Sequence, residues 1–191
     1  MRNILVHEFI TLDGVIQAPG GADEDTDGGF AHGGWTMPYW HDDIGARFFE
    51  TMQRADAMLL GRRTWEIHSV FEKMNDDFAQ ALNAVPKHVV SNTLKDASAW
   101  RNSTIIGGDV VGEVRRLKER AGKDILMDGS SQLIQTLLAA DLIDELLLHV
   151  YPISLGGGKT IFPDGHRNDF KLVESKALPT GVVFAHYSRG V

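Results

Sequence analysis

The stretch that most constrains the fold is residues 124–139, Asp-Ile-Leu-Met-Asp-Gly-Ser-Ser-Gln-Leu-Ile-Gln-Thr-Leu-Leu-Ala. Ile125, Leu126 and Met127 form the short apolar run of a buried strand. Gly129 permits a positive φ and a close backbone approach. Ser130 or Ser131 can cap the helix that follows. Leu133, Ile134, Leu137 and Leu138 recur on one helical face. A strand that feeds a helix through a glycine aims free N–H groups and a positive dipole end at the turn, which suits a phosphate or pyrophosphate. A single turn of this kind is also ordinary βα chemistry, so the argument rests on its repetition.

The pattern does repeat. Ala57 to Leu60 reads as a strand and runs into Gly61-Arg62-Arg63-Thr64-Trp65-Glu66, a helix start with two arginines. Guanidinium forks match phosphate oxygens. Val85 to Val90 ends at Ser91-Asn92-Thr93. Thr104 to Ile106 ends at Gly107-Gly108-Asp109, followed by the helical face of Val110, Val111, Val114 and Leu117. A first strand, Ile4 to Ile10, breaks at Thr11-Leu12-Asp13-Gly14. Asp13 is either a turn-former or a polar group beside a ligand. Ligands of open α/β sheets bind beyond the carboxyl ends of the strands, so these endings predict one extended, phosphate-bearing ligand. The apolar strand Ile143 to Ile153 is followed by Phe170 to Val173 and Val182 to Tyr187, with no helix between those two. The expectation is an α/β fold with a mixed, mostly parallel central sheet, flanking helices and a C-terminal antiparallel hairpin.

Residues 17–36 are rich in glycine and acid and lack periodicity, as lids and binding loops often do. Trp35, Met37, Tyr39 and Trp40 follow. They could stack on a flat heterocycle or staple the loop to the core. Asp42 or Asp43 is expected to cap a helix through Arg54, with Ile44, Phe48, Phe49 and Met52 facing inward.

Length and charge set bounds. A chain of 191 residues fits one domain. A formal charge of −7 gives no case for a nucleic-acid partner, though it leaves room for a local basic pocket. The absence of cysteine removes disulfides, thiolate nucleophiles and Cys-based zinc sites, and the scattered histidines predict no metal site. The apolar run at the N-terminus is too short for a signal peptide, and no segment approaches the ~20 apolar residues of a membrane span. A cytoplasmic protein without a membrane partner is expected. Gly156-Gly-Gly-Lys-Thr160 is no P-loop, because Ile153 stands where the first glycine belongs and Pro163 follows where a helix should run.

Gly61-Arg-Arg-Thr-Trp-Glu66 resembles the Gly-Arg-x-Thr-Trp-Glu that opens the cofactor helix of dihydrofolate reductases. Thr11-Leu-Asp-Gly14, Ala55-Asp-Ala-Met-Leu-Leu-Gly61, Asp128-Gly-Ser-Ser131, Leu142-Ile-Asp-Glu145 and Pro152-Ile-Ser-Leu-Gly-Gly-Gly158 more closely resemble the reductase domain of the bifunctional riboflavin-biosynthesis deaminase–reductase and its stand-alone relatives. The resemblance implies a dihydrofolate-reductase-like three-layer fold. It also implies NADPH as the cofactor and hydride transfer to a small heterocyclic or carbonyl substrate, as in 5-amino-6-(5-phosphoribosylamino)uracil reductase.

By the same resemblance, Gly61, Arg62, Arg63 and Thr64 would hold cofactor phosphates. Ser91 and Asn92 would lie near the adenosine phosphate, with Gly107 beside them. Gly129, Ser130, Ser131 and Gln132 would take the pyrophosphate, and Val15 and Ile16 would flank the nicotinamide. Asp13, Trp40 and Tyr151 are assigned to the substrate. Trp35-Thr-Met-Pro38 matches the Trp-x-x-Pro that precedes the substrate carboxylate of dihydrofolate reductases, and the nearest acids are Asp42 and Asp43. Together with Asp13, His41 and water they are the expected proton sources. The 17–36 loop would close over the nicotinamide. The 143–153 strand is expected to pair or pack against a second subunit in a homodimer. A true dihydrofolate reductase and a non-catalytic nucleotide-binding protein of the same fold are the alternatives.

Overall fold

The computed structural model describes residues 1–190. Along the chain come β1 (Ile4–Thr11), α1 (Asp42–Arg54), β2 (Ala55–Gly61), α2 (Arg62–His68), α3 (Asp77–Ala84), β3 (Lys87–Val90) and β4 (Ser103–Ile106). Then follow α4 (Val110–Glu119), β5 (Asp124–Met127), α5 (Ser131–Ala139), β6 (Glu145–Tyr151), β7 (Phe170–Ala177) and β8 (Val183–Arg189). All eight strands form one sheet in the order β4-β3-β2-β5-β1-β6-β8-β7. The first six run parallel. β8 lies antiparallel between β6 and β7.

Strand alternation decides which helix covers which face. Ile4, Val6 and Ile10 of β1, Leu59 of β2, and Ile125 and Met127 of β5 pack with α4 and α5. The intervening Met58, Leu60 and Leu126 pack with Phe48, Met52, Trp65, Leu82 and Trp100 under α1, α2 and α3. The result is the expected three-layer arrangement of a mixed, mostly parallel sheet between helices, with a C-terminal antiparallel pair.

Several expectations need correction. The cap of α1 is His41, whose Nδ1 accepts a hydrogen bond from the Asp43 amide (3.2 Å), so neither Asp42 nor Asp43 caps it. Phe49 points outward, and Thr51 takes the inner position with Ile44, Phe48 and Met52. Between α2 and β3 the chain adds the short helix α3, capped by Asp76, whose Oδ1 accepts from the Ala79 amide (3.0 Å). β6 is shorter than the apolar run 143–153. It cannot pair with a second subunit, because β1 and β8 occupy both its edges. The free edges belong to β4 and β7.

Two polar groups of β1 point to opposite faces. His7 lies under α1, where its Nδ1 meets Thr51 Oγ1 (3.0 Å) and its Nε2 meets His149 Nδ1 of β6 (3.1 Å). Thr51 donates its hydroxyl proton to the Arg47 carbonyl. This fixes the direction of the chain: His7 Nδ1–H donates to Thr51, and His149 Nδ1–H donates to His7 Nε2. His149 Nε2 is left buried without a partner. Burial holds both imidazoles below their ordinary value, His149 down to about 4.

Both rings are therefore neutral in the folded protein, whereas the unfolded chain protonates them near 6.5. Their contribution to stability is complete above about pH 7 and is lost as the pH falls below about 6.5, for His149 towards 4. For His149 the ceiling is roughly 3 kcal/mol. In urea unfolding measured across this range, His149→Leu is expected to show a flatter acid limb than the parent chain.

Candidate active site

Because β1, β2, β3 and β5 run parallel, their carboxyl ends open on one edge of the sheet. There they surround a cavity of about 1130 Å³. It is lined by Gly61, Arg62, Arg63 and Thr64 after β2, and by Ser91 and Asn92 after β3. Gly129, Ser130, Ser131 and Gln132 after β5 and Ile16 after β1 complete the wall. These predicted ligand residues come from four distant segments.

The turns after β2 and β5 are stitched together. Ser130 Oγ donates to Thr64 Oγ1 (2.8 Å) and accepts from the Gly61 amide (2.6 Å). Ser130 is the N-cap residue of α5 and is left-handed (φ 77°), but its side chain makes no cap bond. Gly61 precedes α2 and likewise supplies no side-chain cap. Two helix starts thus present uncapped amides to the same space, an arrangement that fits phosphates. Gly129 adopts φ +82°, and a Cβ there would lie 2.8 Å from Thr64 Cγ2. The turn closes this tightly only with glycine.

The acidic loop covers one side. Asp25 bridges Arg63 (3.2 Å) and Lys159 (2.7 Å), and Lys159 also reaches Asp27 (2.9 Å). Gln17 Nε2 donates to the carbonyls of Asp25 and Asp27. Trp35 is buried, donates its indole N–H to the Gln17 carbonyl (2.8 Å) and stands edge-on to Tyr151. Of the two readings of that aromatic cluster, Trp35 follows the staple. Arg62 pairs with Glu66 within α2.

Other assigned residues lie elsewhere. Val15 is buried and bridges to Thr160, outside the cavity lining. Gly107 also lies outside it, where β3 and β4 are tied by the Gly108 amide donating to Asn92 Oδ1 (3.0 Å). Asp13 is an exposed loop tie, accepting from the amides of Leu155 (3.0 Å) and Gly156 (2.7 Å). The Thr11 hydroxyl and the Gly156 amide hold its carboxyl down to about 2, so it stays ionised and makes a poor proton donor. Asp42 is exposed at the start of α1. Asp43 pairs with Lys176 (2.6 Å), whose hydrogen bond lowers its pKa. Neither lines the cavity. Trp40 touches Phe9 edge-on at 6.5 Å but lies outside the lining. Tyr151 is fully buried behind Phe9 among Trp35, Ile44 and Val182, with its hydroxyl unpartnered.

The cavity also holds acids that sequence reasoning passed over. Glu8 of β1 is 4% exposed, and its Oε1 accepts from the Gly129 amide (2.6 Å). Asp128 sits beside it at the end of β5, 3.8 Å from His68 Nε2. Burial first, and then the Asp128 charge, push the Glu8 carboxyl well above its ordinary value. Burial also raises Asp128, against the pull of His68. The signal was available: His7 and Glu8 are adjacent polar residues inside an otherwise apolar strand.

The model of the RibD C-terminal domain matches residues 2–184. The chain belongs to the RibD C-terminal domain family. Within reach of it is YyaP of Bacillus subtilis (strain 168), 28% identical over 189 residues, covering 95% of this chain and 92% of that one. A candidate riboflavin biosynthesis protein from Shewanella sp. PV-4 superposes with a TM-score of 0.71 at 22% identity, over 99% of each chain. Dihydrofolate reductase from Enterococcus faecalis, solved with NADP(H), superposes with a TM-score of 0.61 at 15% identity, over 99% of this chain and 97% of that one. The family member described here thus has the dihydrofolate-reductase-like fold. No helix among the described residues is long and apolar enough to cross a membrane.

The Gly129 turn is the geometric keystone of the wall that joins the ends of β2 and β5. Gly129→Ala is expected to cost about 1–2 kcal/mol from the left-handed backbone alone. It should also push Thr64 off Ser130. Thermal unfolding with and without a phosphate-bearing ligand checks both effects.

Proposed function

We infer that this chain is an NADPH-dependent reductase that transfers a hydride to a C=N or C=O bond of a small polar heterocyclic or carbonyl substrate. The observation that carries the reading is the meeting of two uncapped helix starts, Arg62, Arg63, Ser91 and Asn92 in one cavity at the carboxyl edge of the sheet. Family membership supports it, as does the likeness to a reductase solved with NADP(H). When bound, the cofactor supplies the hydride; the protein supplies position and electrostatics. The turns after β2 and β5 would hold the cofactor phosphates, Ser91 and Asn92 the adenosine end, and Ile16 the nicotinamide. A uracil-type substrate like that of 5-amino-6-(5-phosphoribosylamino)uracil reductase fits the family best. Folate reduction is less favoured, because Asp42 and Asp43 stand away from the cavity.

Asp25 occupies the cations that a phosphate would seek, so binding requires Arg63 to change partners. Tryptophan-fluorescence titration should give NADPH binding well below millimolar, the level at which binding is worth only about 4 kcal/mol. Arg63→Ala should weaken binding roughly 10- to 100-fold, in line with a lost charge-assisted hydrogen bond, and Asp25→Asn should strengthen it. Binding without NADPH oxidation across a panel of uracil, pterin and carbonyl substrates would favour the non-catalytic alternative.

A homodimer is part of this proposal, with the contact moved to the free edge β7, where Leu172 and Val173 are exposed. Light scattering should return twice the chain mass; a monomer refutes the assembly. A cytoplasmic location is likewise proposed rather than read from the fold.

A further inference from the structure

Reducing a C=N or C=O bond takes a proton as well as a hydride, and the side chains expected to donate it, Asp13, His41, Asp42 and Asp43, do not line the cavity. Glu8 does. It projects from β1 on the face opposite His7 and His149, into the space beneath the Gly129 turn. The groups facing it are Asp128 after β5, Glu24 from the acidic loop and, beyond Asp128, His68 of α2. Glu24 is engaged with the Gly20 and Gly21 amides, and the rim cations Arg63 and Lys159 are engaged by Asp25. No cation pairs with Glu8 among the described residues. Its one hydrogen bond, from Gly129 to Oε1, leaves Oε2 free.

We propose that Glu8 is the proton donor of this site and that Asp128 is the positioning residue that keeps the proton on Glu8. The inference rests on the reductase reading above. A buried carboxyl beside a second carboxyl cannot share ionisation with it, so one of the two keeps its proton. Asp128 has His68 for a partner and takes the charge. In the reaction, the substrate carbon gains the hydride. The O–H bond of Glu8 breaks, an N–H or O–H bond forms on the substrate heteroatom, and the Glu8 carboxylate recovers a proton from water.

The test is carbon-13 NMR titration of the chain labelled at glutamate Cδ, with Glu8→Gln assigning the resonance. Glu8 should titrate well above the ordinary value near 4.3 and shift down by about one unit or more in Asp128→Asn. In the NADPH-oxidation assay, Glu8→Gln should bind NADPH as the parent does and turn over roughly 10²- to 10⁴-fold more slowly. A Glu8 midpoint near 4.3, or full turnover by Glu8→Gln, overturns the assignment while the reductase reading stands. Failure of the parent chain to bind NADPH overturns both.

Discussion

Everything in this molecule depends on six neighbouring strands running the same way. A parallel pair cannot be joined by a tight turn, so each strand must be followed by a crossover, usually a helix. The crossovers begin at one edge of the sheet and end at the other. The edge where they begin gathers the glycines, the hydroxyls and the N-termini of α2 and α5 around one space. Four segments distant in sequence become one cavity through this geometry, and the Ser130 bonds to Thr64 and Gly61 tie two of them together.

The opposite edge is built differently. Arg54 at the end of α1 pairs with Asp124 (3.1 Å) and Glu145 (3.0 Å), the first residues of β5 and β6. Glu145 also meets His186 (2.8 Å), Lys118 pairs with Asp144, and Arg2 pairs with Asp56. Charges there are matched and closed. At the cavity, Asp25 draws Arg63 and Lys159 together at the rim, and the carboxyls of Glu8 and Asp128 are buried side by side. One edge is organised for stability and the other holds strained electrostatics in reserve.

The sequence shows the strands, the βα turns and the antiparallel tail because each is written in local periodicity and glycine placement. Gly61, Arg62, Arg63, Thr64 and Gly129 through Gln132 could be placed together from that logic alone. What could not be read depends on distant neighbours. Asp13 looks like a free acid until the loop at 155–156 reaches it. Asp43 looks catalytic until Lys176, 133 residues away, takes it. Tyr151 is assigned to the substrate by resemblance, yet β6 carries it into the core. Glu8 shows in the sequence only as a polar residue in an apolar run; its buried neighbour Asp128 is brought alongside by the pairing of β1 with β5.

The place of β8 has a consequence for how the molecule is made. β8 is the last strand of the described chain, yet it lies inside the sheet, and β7 touches the rest of the sheet only through it. On the ribosome, β6 must therefore leave the exit tunnel with one flank bare, and β7 must follow with nowhere to attach. Both wait until residues 183–189 emerge, because β8 is the strand that pairs with each. During that interval the nascent chain exposes an apolar strand edge, which is when a chaperone has most to shield.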